Sequence, residues 1–293
     1  MDTKFAFLLL HYKNADVTME CINSIMKVEK DEKYDIVVVD NASKNGSIEQ
    51  LKLEYQDEKN IHFIQNEENL GYARGNNIGF AYAKNVLHSN FICLANNDII
   101  FQKECISKIV ELYEKEHYYV LGPDVLTPNG QHQNPFRSSV ATSSVVLKKI
   151  VHDAMVLASI NLGVHSLISR RLQKQEKKMS PEWETSICNF QGVLHGSCLV
   201  FSPLFINQFD GFYKGTFLYV EEDILCYILH KLNCKYMYSS QVQVIHCHAT
   251  TFKRKIHDEN KRKKVMVGYR IHSYIKFFKI TLKGKKVAHF LMS

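Results

Sequence analysis

Phe91–Phe101 reads FICLANNDIIF: five apolar residues that stop at two amides and a carboxylate, Asn96, Asn97 and Asp98, before the chain turns apolar again. A short apolar run bounded by polar turn formers is the pattern of a strand buried on both faces. The same break occurs twice upstream, where FAFLLL (5–10) gives way to His11 and Tyr12, and IVVV (36–39) gives way to Asp40, Asn41 and Ser43. Between these runs lie ADVTMECINSIMKV (15–28), SIEQLKLEYQ (47–56) and GYARGNNIGFAYAKN (71–85), each with apolar residues at helical spacing, and IHFIQN (61–66) reads as a further short strand. Strand and helix in alternation predict a parallel sheet with helices on both faces, and ligands of such sheets collect at the carboxyl ends of the strands. One strand-end Asp alone is an ordinary cap or turn former. Three polar strand ends in series favour a site.

With 293 residues, 45% of them hydrophobic and 23% charged, the chain can bury a substantial core. Its 13 glycines and 5 prolines form no repeat or low-complexity tract. Eight scattered cysteines with no CxxC pair are simplest as reduced thiols in a cytosol. The run Phe5–Leu10 is too short for a signal-peptide core, and no stretch approaches a bilayer span, so a cytoplasmic protein, soluble or peripherally attached, is expected. The net charge of +7 is concentrated after Phe252, where KRKKVMVGYRIHSYIKFFKITLKGKK (261–286) interleaves cations with aromatic residues. Such a tail can rest on anionic lipid or pack on the core as an amphipathic helix. Nucleic acid is not expected as a partner, because no recognised reading motif accompanies the charge.

Two further stretches carry chemistry. In NLGYARGNNIG (69–79) glycines at 71, 75 and 79 would let the backbone approach a ligand, Arg74 could neutralise a phosphate and the following helix would present its positive end. An ordinary glycine-eased helix start would read the same way. The segment is neither GxGxxG nor a P-loop. In FLYVEEDILCYILHKL (217–232) an aromatic, apolar stretch reads as a strand that delivers Glu221, Glu222 and Asp223 to the start of a helix. Three anions there could complement the helix dipole, or one could serve as a general base, since crowded carboxylates raise one another's proton affinity.

VVVDNAS, NLGYARGNNIG, LANNDI, GSCLVF and FLYVEED, in this order over residues 4 to about 250, together resemble the family 2 inverting glycosyltransferases, especially rhamnosyltransferase-like bacterial members. The resemblance implies a GT-A fold: α/β, a mostly parallel central sheet flanked by helices, with a Rossmann-like nucleotide-binding half. Asp40 would recognise the base of a nucleoside-diphosphate sugar, deoxythymidine- or uridine-linked, with His11, Tyr12, Asn41 and Ser43 beside it. Asn69, Gly71, Arg74, Gly75, Asn76 and Asn77 would line the nucleotide and sugar. Asn96, Asn97 and Asp98 would stand where the family has its DxD motif, here with only Asp98 charged; Asp98 and His246 would hold a divalent cation, Mg²⁺ or Mn²⁺. A single carboxylate suffices for Mg²⁺ when phosphate oxygens complete its shell. His195, Gly196 and Ser197 would approach the reacting sugar. Glu222 would be the base, with Asp223 as the alternative and Glu221 beside them, and the Arg common six residues after the second acid is replaced by Ile228.

A glycan or polyprenyl-linked saccharide acceptor, bacterial surface polysaccharide synthesis and contact with an anionic membrane complete that expectation. The alternative is a non-catalytic nucleotide-sugar or glycan-binding module of the same fold. The predicted division is a GT-A domain over 1–250, comprising a nucleotide-sugar half (1–125) and an acceptor half (126–250) with a helical insertion at about 140–180, followed by a basic aromatic helical tail over 251–293.

Overall fold

The structure, a computed structural model, describes residues 3–30, 32–163, 186–247, 259–284 and 286–292. Four strands, β1 (Phe5–His11), β2 (Tyr34–Asp40), β3 (Ile61–Gln65) and β4 (Phe91–Asn96), pair in parallel in the spatial order β3-β2-β1-β4. Successive side chains of a strand point to opposite faces, so each strand feeds two cores. Ala6, Leu8, Val37, Val39, Ile92 and Leu94 face one side and pack on α3 (Gly71–Asn85) through Ala73, Phe80 and Ala83. Phe5, Phe7, Leu9, Ile36, Val38 and Cys93 face the other and pack with Cys21, Ile22 and Ile25 of α1 (Ala15–Val28). A short α2 (Ser47–Glu54) lies beside α1.

The second half of the sheet is mixed. β7 (Cys198–Phe201) runs antiparallel between β4 and β6 (Val120–Leu126), β6 pairs in parallel with β8 (Tyr236–His246), and β5 (Ile99–Phe101) closes the edge antiparallel to β8. α4 (Ile106–Glu116) packs against β8. The register of the last pairing sets Ile99 opposite His246, which brings a strand end from late in the chain to the residue after Asp98.

Of the predicted helical insertion, α5 (Ser143–Asn161) is described, and residues 164–185, with Trp183, lie outside the described residues. α6 (Pro203–Gln208) and α7 (Glu221–Lys231) follow. The tail forms α8 (Glu259–Thr281) and a 3₁₀ turn over Ala288–Leu291. Two of its aromatic residues, Tyr274 and Phe277, are buried, and Phe277 meets Tyr227 edge-on. Arg270 of α8 binds Asp153 of α5 through both carboxylate oxygens at 2.5 and 2.6 Å. Among the described residues no helix is long and apolar enough to cross a membrane.

One expectation is corrected. The segment 217–220 is a loop, not a strand: Tyr219 and Val220 have φ of 72° and 76°, a left-handed conformation that no ladder accommodates. Its carbonyls are taken elsewhere, Phe217 O by the Tyr72 amide at 2.7 Å and Leu218 O by the Ser273 hydroxyl at 2.9 Å.

Candidate active site

The chain runs outward through β1, β2 and β3, then returns to place β4 on the far side of β1, so the crevice at the carboxyl ends of β1 and β4 is a topological switch point. Several of the expected nucleotide residues build the walls of this crevice. His11 is fully buried, one ring nitrogen 2.8 Å from the Thr18 hydroxyl and the other 2.8 Å from that of Ser47, and burial lowers its pKa despite the charge of Asp40. It is a neutral brace that ties α1 and α2 to the end of β1. Tyr12 is half-buried, with the Lys13 ammonium 5.2 Å from its ring. The Asp40 carboxylate accepts from both the amide and the hydroxyl of Ser43, an Asx-type turn that fixes the loop after β2. Asn41 is a hub: its amide group donates to Asn69 Oδ1 (3.0 Å) and Gly71 O (3.1 Å), while its Oδ1 accepts from Asn66 (3.2 Å) and the Leu70 amide (3.0 Å).

The three glycines of α3 have separate reasons. Gly71 has φ of +81°, and a Cβ there would sit 2.2 Å from Phe217 O. Gly75 and Gly79 face the sheet, where a Cβ would meet Leu10 Cδ1 at 2.8 Å and Leu8 Cδ1 at 2.1 Å. These two serve close helix-on-sheet packing, the plainer of the two sequence readings. Asn77 clamps the backbone of Phe212 with both side-chain atoms at 2.7 and 2.8 Å. Asn76 donates to Tyr72 O at 3.0 Å and leaves its buried Oδ1 without a hydrogen bond. Arg74 is exposed on the outer flank of α3, lining a cavity of about 310 Å³ together with Lys214, Phe212 and Leu291.

Beyond β4 the polar cluster splits. Asn96 Oδ1 accepts from the Tyr72 hydroxyl at 3.2 Å, and Asn97 donates to the Thr18 hydroxyl at 2.9 Å. Asp98 Oδ1 lies 3.3 Å from His246 Nε2. His246 Nδ1 in turn stands 3.0 Å from Gln133 Oε1. A carboxylate and an imidazole side by side at a strand end fit a divalent ion whose remaining ligands come from phosphate oxygens and water. Among the described residues no third His, Cys, Asp or Glu joins them. His248 lies outside the described residues, and Cys247 is exposed. His195 packs edge-on against His246, its Nδ1 accepting from the Ser197 amide at 3.2 Å and bonded to the Ser197 hydroxyl at 2.7 Å.

The three carboxylates at the start of α7 have three environments. Asp223 is 2% exposed and ion-paired with Arg137 Nη1, with Lys149 Nζ 3.9 Å from the same oxygen. Glu221 is 4% exposed, its Oε1 buried without a hydrogen bond; burial and then Glu222 push its pKa to about 8. Glu222 keeps part of its surface open and lies against Gly196, where a Cβ would be 3.3 Å from its Oε2. Burial, then the charge of Asp223, raises its pKa to about 7, while Arg137 and Lys149 pull it back. Burial lowers the pKa of Lys149, whose ammonium is buried without a hydrogen bond. Arg137, Lys149 and Gln133 carry no motif in the sequence, and Tyr72, though it lies within NLGYARGNNIG, is not singled out by that motif. Only an ionisable side chain inside an apolar helix, as at Lys149, hinted at a buried partner.

The switch-point crevice is thus rimmed by amides, with a carboxylate–imidazole pair at one strand end and a half-buried glutamate against Gly196. Residues 8–174 match the model of glycosyl transferase family 2, and the chain belongs to that family. Over 241 residues it is 22% identical to the low-salt glycan biosynthesis hexosyltransferase Agl10 of Haloferax volcanii, covering 82% of this chain and 66% of that protein, so it spans just under two thirds of the curated relative. Crystal structures of S. aureus TarS 1–349 superpose with a TM-score of 0.53 at 16% identity, covering 98% of this chain and 72% of TarS, and a complex of TarS with UDP-GlcNAc superposes at 0.52 with 14% identity, covering 98% and 73%. At that identity the likeness shows the fold, a GT-A-like mixed α/β sheet.

Proposed function

We propose that the protein is an inverting hexosyltransferase that moves a sugar from a nucleoside-diphosphate donor to a hydroxyl of a glycan or lipid-linked saccharide, with Glu222 as the base. The observation that carries this reading is the contrast within one helical turn: Asp223 is locked to Arg137 and Glu221 is sealed in the core, while Glu222 alone keeps part of its surface exposed, with its pKa raised to about 7. A base of that strength removes the acceptor proton as the oxygen attacks the anomeric carbon from the face opposite the leaving group. Asp98 and His246 would hold a divalent cation, which supplies charge stabilisation to the departing diphosphate. The amides of Asn96 and Asn97 and the Tyr72 hydroxyl orient groups beside it, and Asp40 would accept the ring N–H that uracil and thymine share and cytosine lacks.

In this reading the donor is a uridine or deoxythymidine diphosphate sugar; the binding of UDP and UDP-GlcNAc by the TarS structures supports a nucleotide sugar of this kind. Rhamnose stays within that range, as does a role in cell-envelope polysaccharide synthesis at the inner face of a membrane. Glu222→Gln keeps shape and removes the acceptor of the proton, so donor binding survives and transfer falls by about two to four orders of magnitude. A panel of nucleotide sugars, read by released diphosphate, measures it. Wild-type rates in that variant, or the same loss in Asp223→Asn alone, would move the base off Glu222. For the cation, Asp98→Ala is expected to remove Mg²⁺- or Mn²⁺-dependent donor binding in calorimetry without changing the melting temperature.

A further inference from the structure

α5 buries a mixed face and exposes an apolar one. Val146 and Asp153 are buried, and Lys149 reaches inward to Asp223. At about 100° per residue, Leu147, Val151, Ala154, Met155, Ala158 and Leu162 fall together half a turn away from that face. Leu147 and Val151 are each 47% exposed, Met155 62% and Leu162 76%, with both alanines exposed as well. A helix that packs one face on a core normally presents polar residues on the other, and one that is apolar all round is normally covered. A continuous exposed row of this kind marks an interaction surface.

Charge identifies the occupant. Lys148 stands exposed on the edge of the row. α8 runs antiparallel to α5, because Lys149 lies over the ring of Tyr274 at 5.2 Å and Asp153, one turn later, meets Arg270, one turn earlier. Continuing that register sets Arg262 and exposed Lys264 level with Asn161 and Ser159, beside the end of the row. An apolar row with cations at its edge and end is the composition of a helix lying in the headgroup boundary of an anionic bilayer, where each cation contributes about 1 kcal/mol and long side chains reach up to the phosphates. A second copy would bring the same cations and another +7 of net charge to the contact.

We infer that the outer face of α5, flanked by the first turns of α8, docks the protein on an anionic lipid surface. Tyr274 and Phe277 of the tail, by contrast, are committed to the core. This surface is independent of the catalytic reading, since its row points away from Asp223 and Glu222. The test is co-sedimentation of the full chain with vesicles of phosphatidylcholine and phosphatidylglycerol, against phosphatidylcholine alone. Met155→Asp and Leu162→Asp should each weaken partitioning by about tenfold with unchanged melting curves, the effect of losing one buried apolar side chain. Lys148→Glu should weaken it at low salt and leave high-salt binding alone. Equal sedimentation of wild type and both aspartate variants, or equal binding to neutral vesicles, would overturn the inference. So would light scattering that shows a dimer which these variants dissociate, because the row would then belong to a second copy.

Discussion

Glu221 and Glu222 are neighbours in sequence and opposites in chemistry. Below about pH 7 Glu222 is protonated and cannot act as base, so kcat/KM for transfer should climb about tenfold per pH unit to a plateau above neutrality. Lys149 helps to hold that midpoint down. Lys149→Met should therefore move the midpoint upward, while Lys149→Arg keeps it in place; a variant that merely loosened packing would lower the rate at every pH without shifting the profile. Glu221 shows itself in stability. Its pKa of about 8 in the fold exceeds the usual carboxylate value of 4.5, so between those limits the folded state binds more protons than the unfolded one. Stability must then fall as pH rises from about 4.5 to about 8, and Glu221→Gln, which cannot ionise, should flatten the dependence of the urea midpoint over that window.

At the scale of elements, α3 rests on β1 and β2 through glycine. Gly79→Ala would put a methyl group 2.1 Å from Leu8 Cδ1 and 2.7 Å from Val39 Cγ2, both fully buried. Lifting the helix should cost about 1–3 kcal/mol in urea denaturation, the range for overpacking a core. Gly268 sits in α8 with nothing within 4 Å of its added Cβ. There alanine should stabilise by about 0.5–1 kcal/mol, the helix-propensity difference. Two glycines in helices thus give opposite signs. Spacing located both helices and could not separate the two cases, because the deciding contacts come from other strands.

Across the whole molecule, α8 closes the fold over α5 and the loop before α7. Removing the Arg270 guanidinium leaves Asp153, 4% exposed, charged and without its bidentate partner. Arg270→Ala should therefore destabilise by about 3 kcal/mol. A chain cut after Lys255 loses Tyr274, Phe277 and Ile280 from the core and should emerge expanded, with exposed apolar surface detectable by dye binding. A truncation of that kind cannot report on membrane contact, whereas single substitutions on the outer face of α5 can.

The parallel half of the sheet was legible in the sequence, down to the residues where α1 and α3 begin and end, because local periodicity and strand-end polarity are properties of neighbours along the chain. The resemblance already set Asp98 and His246 on one cation and offered Glu222 as the base. The contacts that surround these residues were not legible. Asp98 meets His246 because β5 and β8 pair across 145 residues of chain, and Glu222 differs from Asp223 because Arg137 and Lys149 arrive from a loop and a helix that carry no motif. Proton affinity and metal geometry depend on burial and on charges a few ångströms away, and those distances exist only once distant segments are packed.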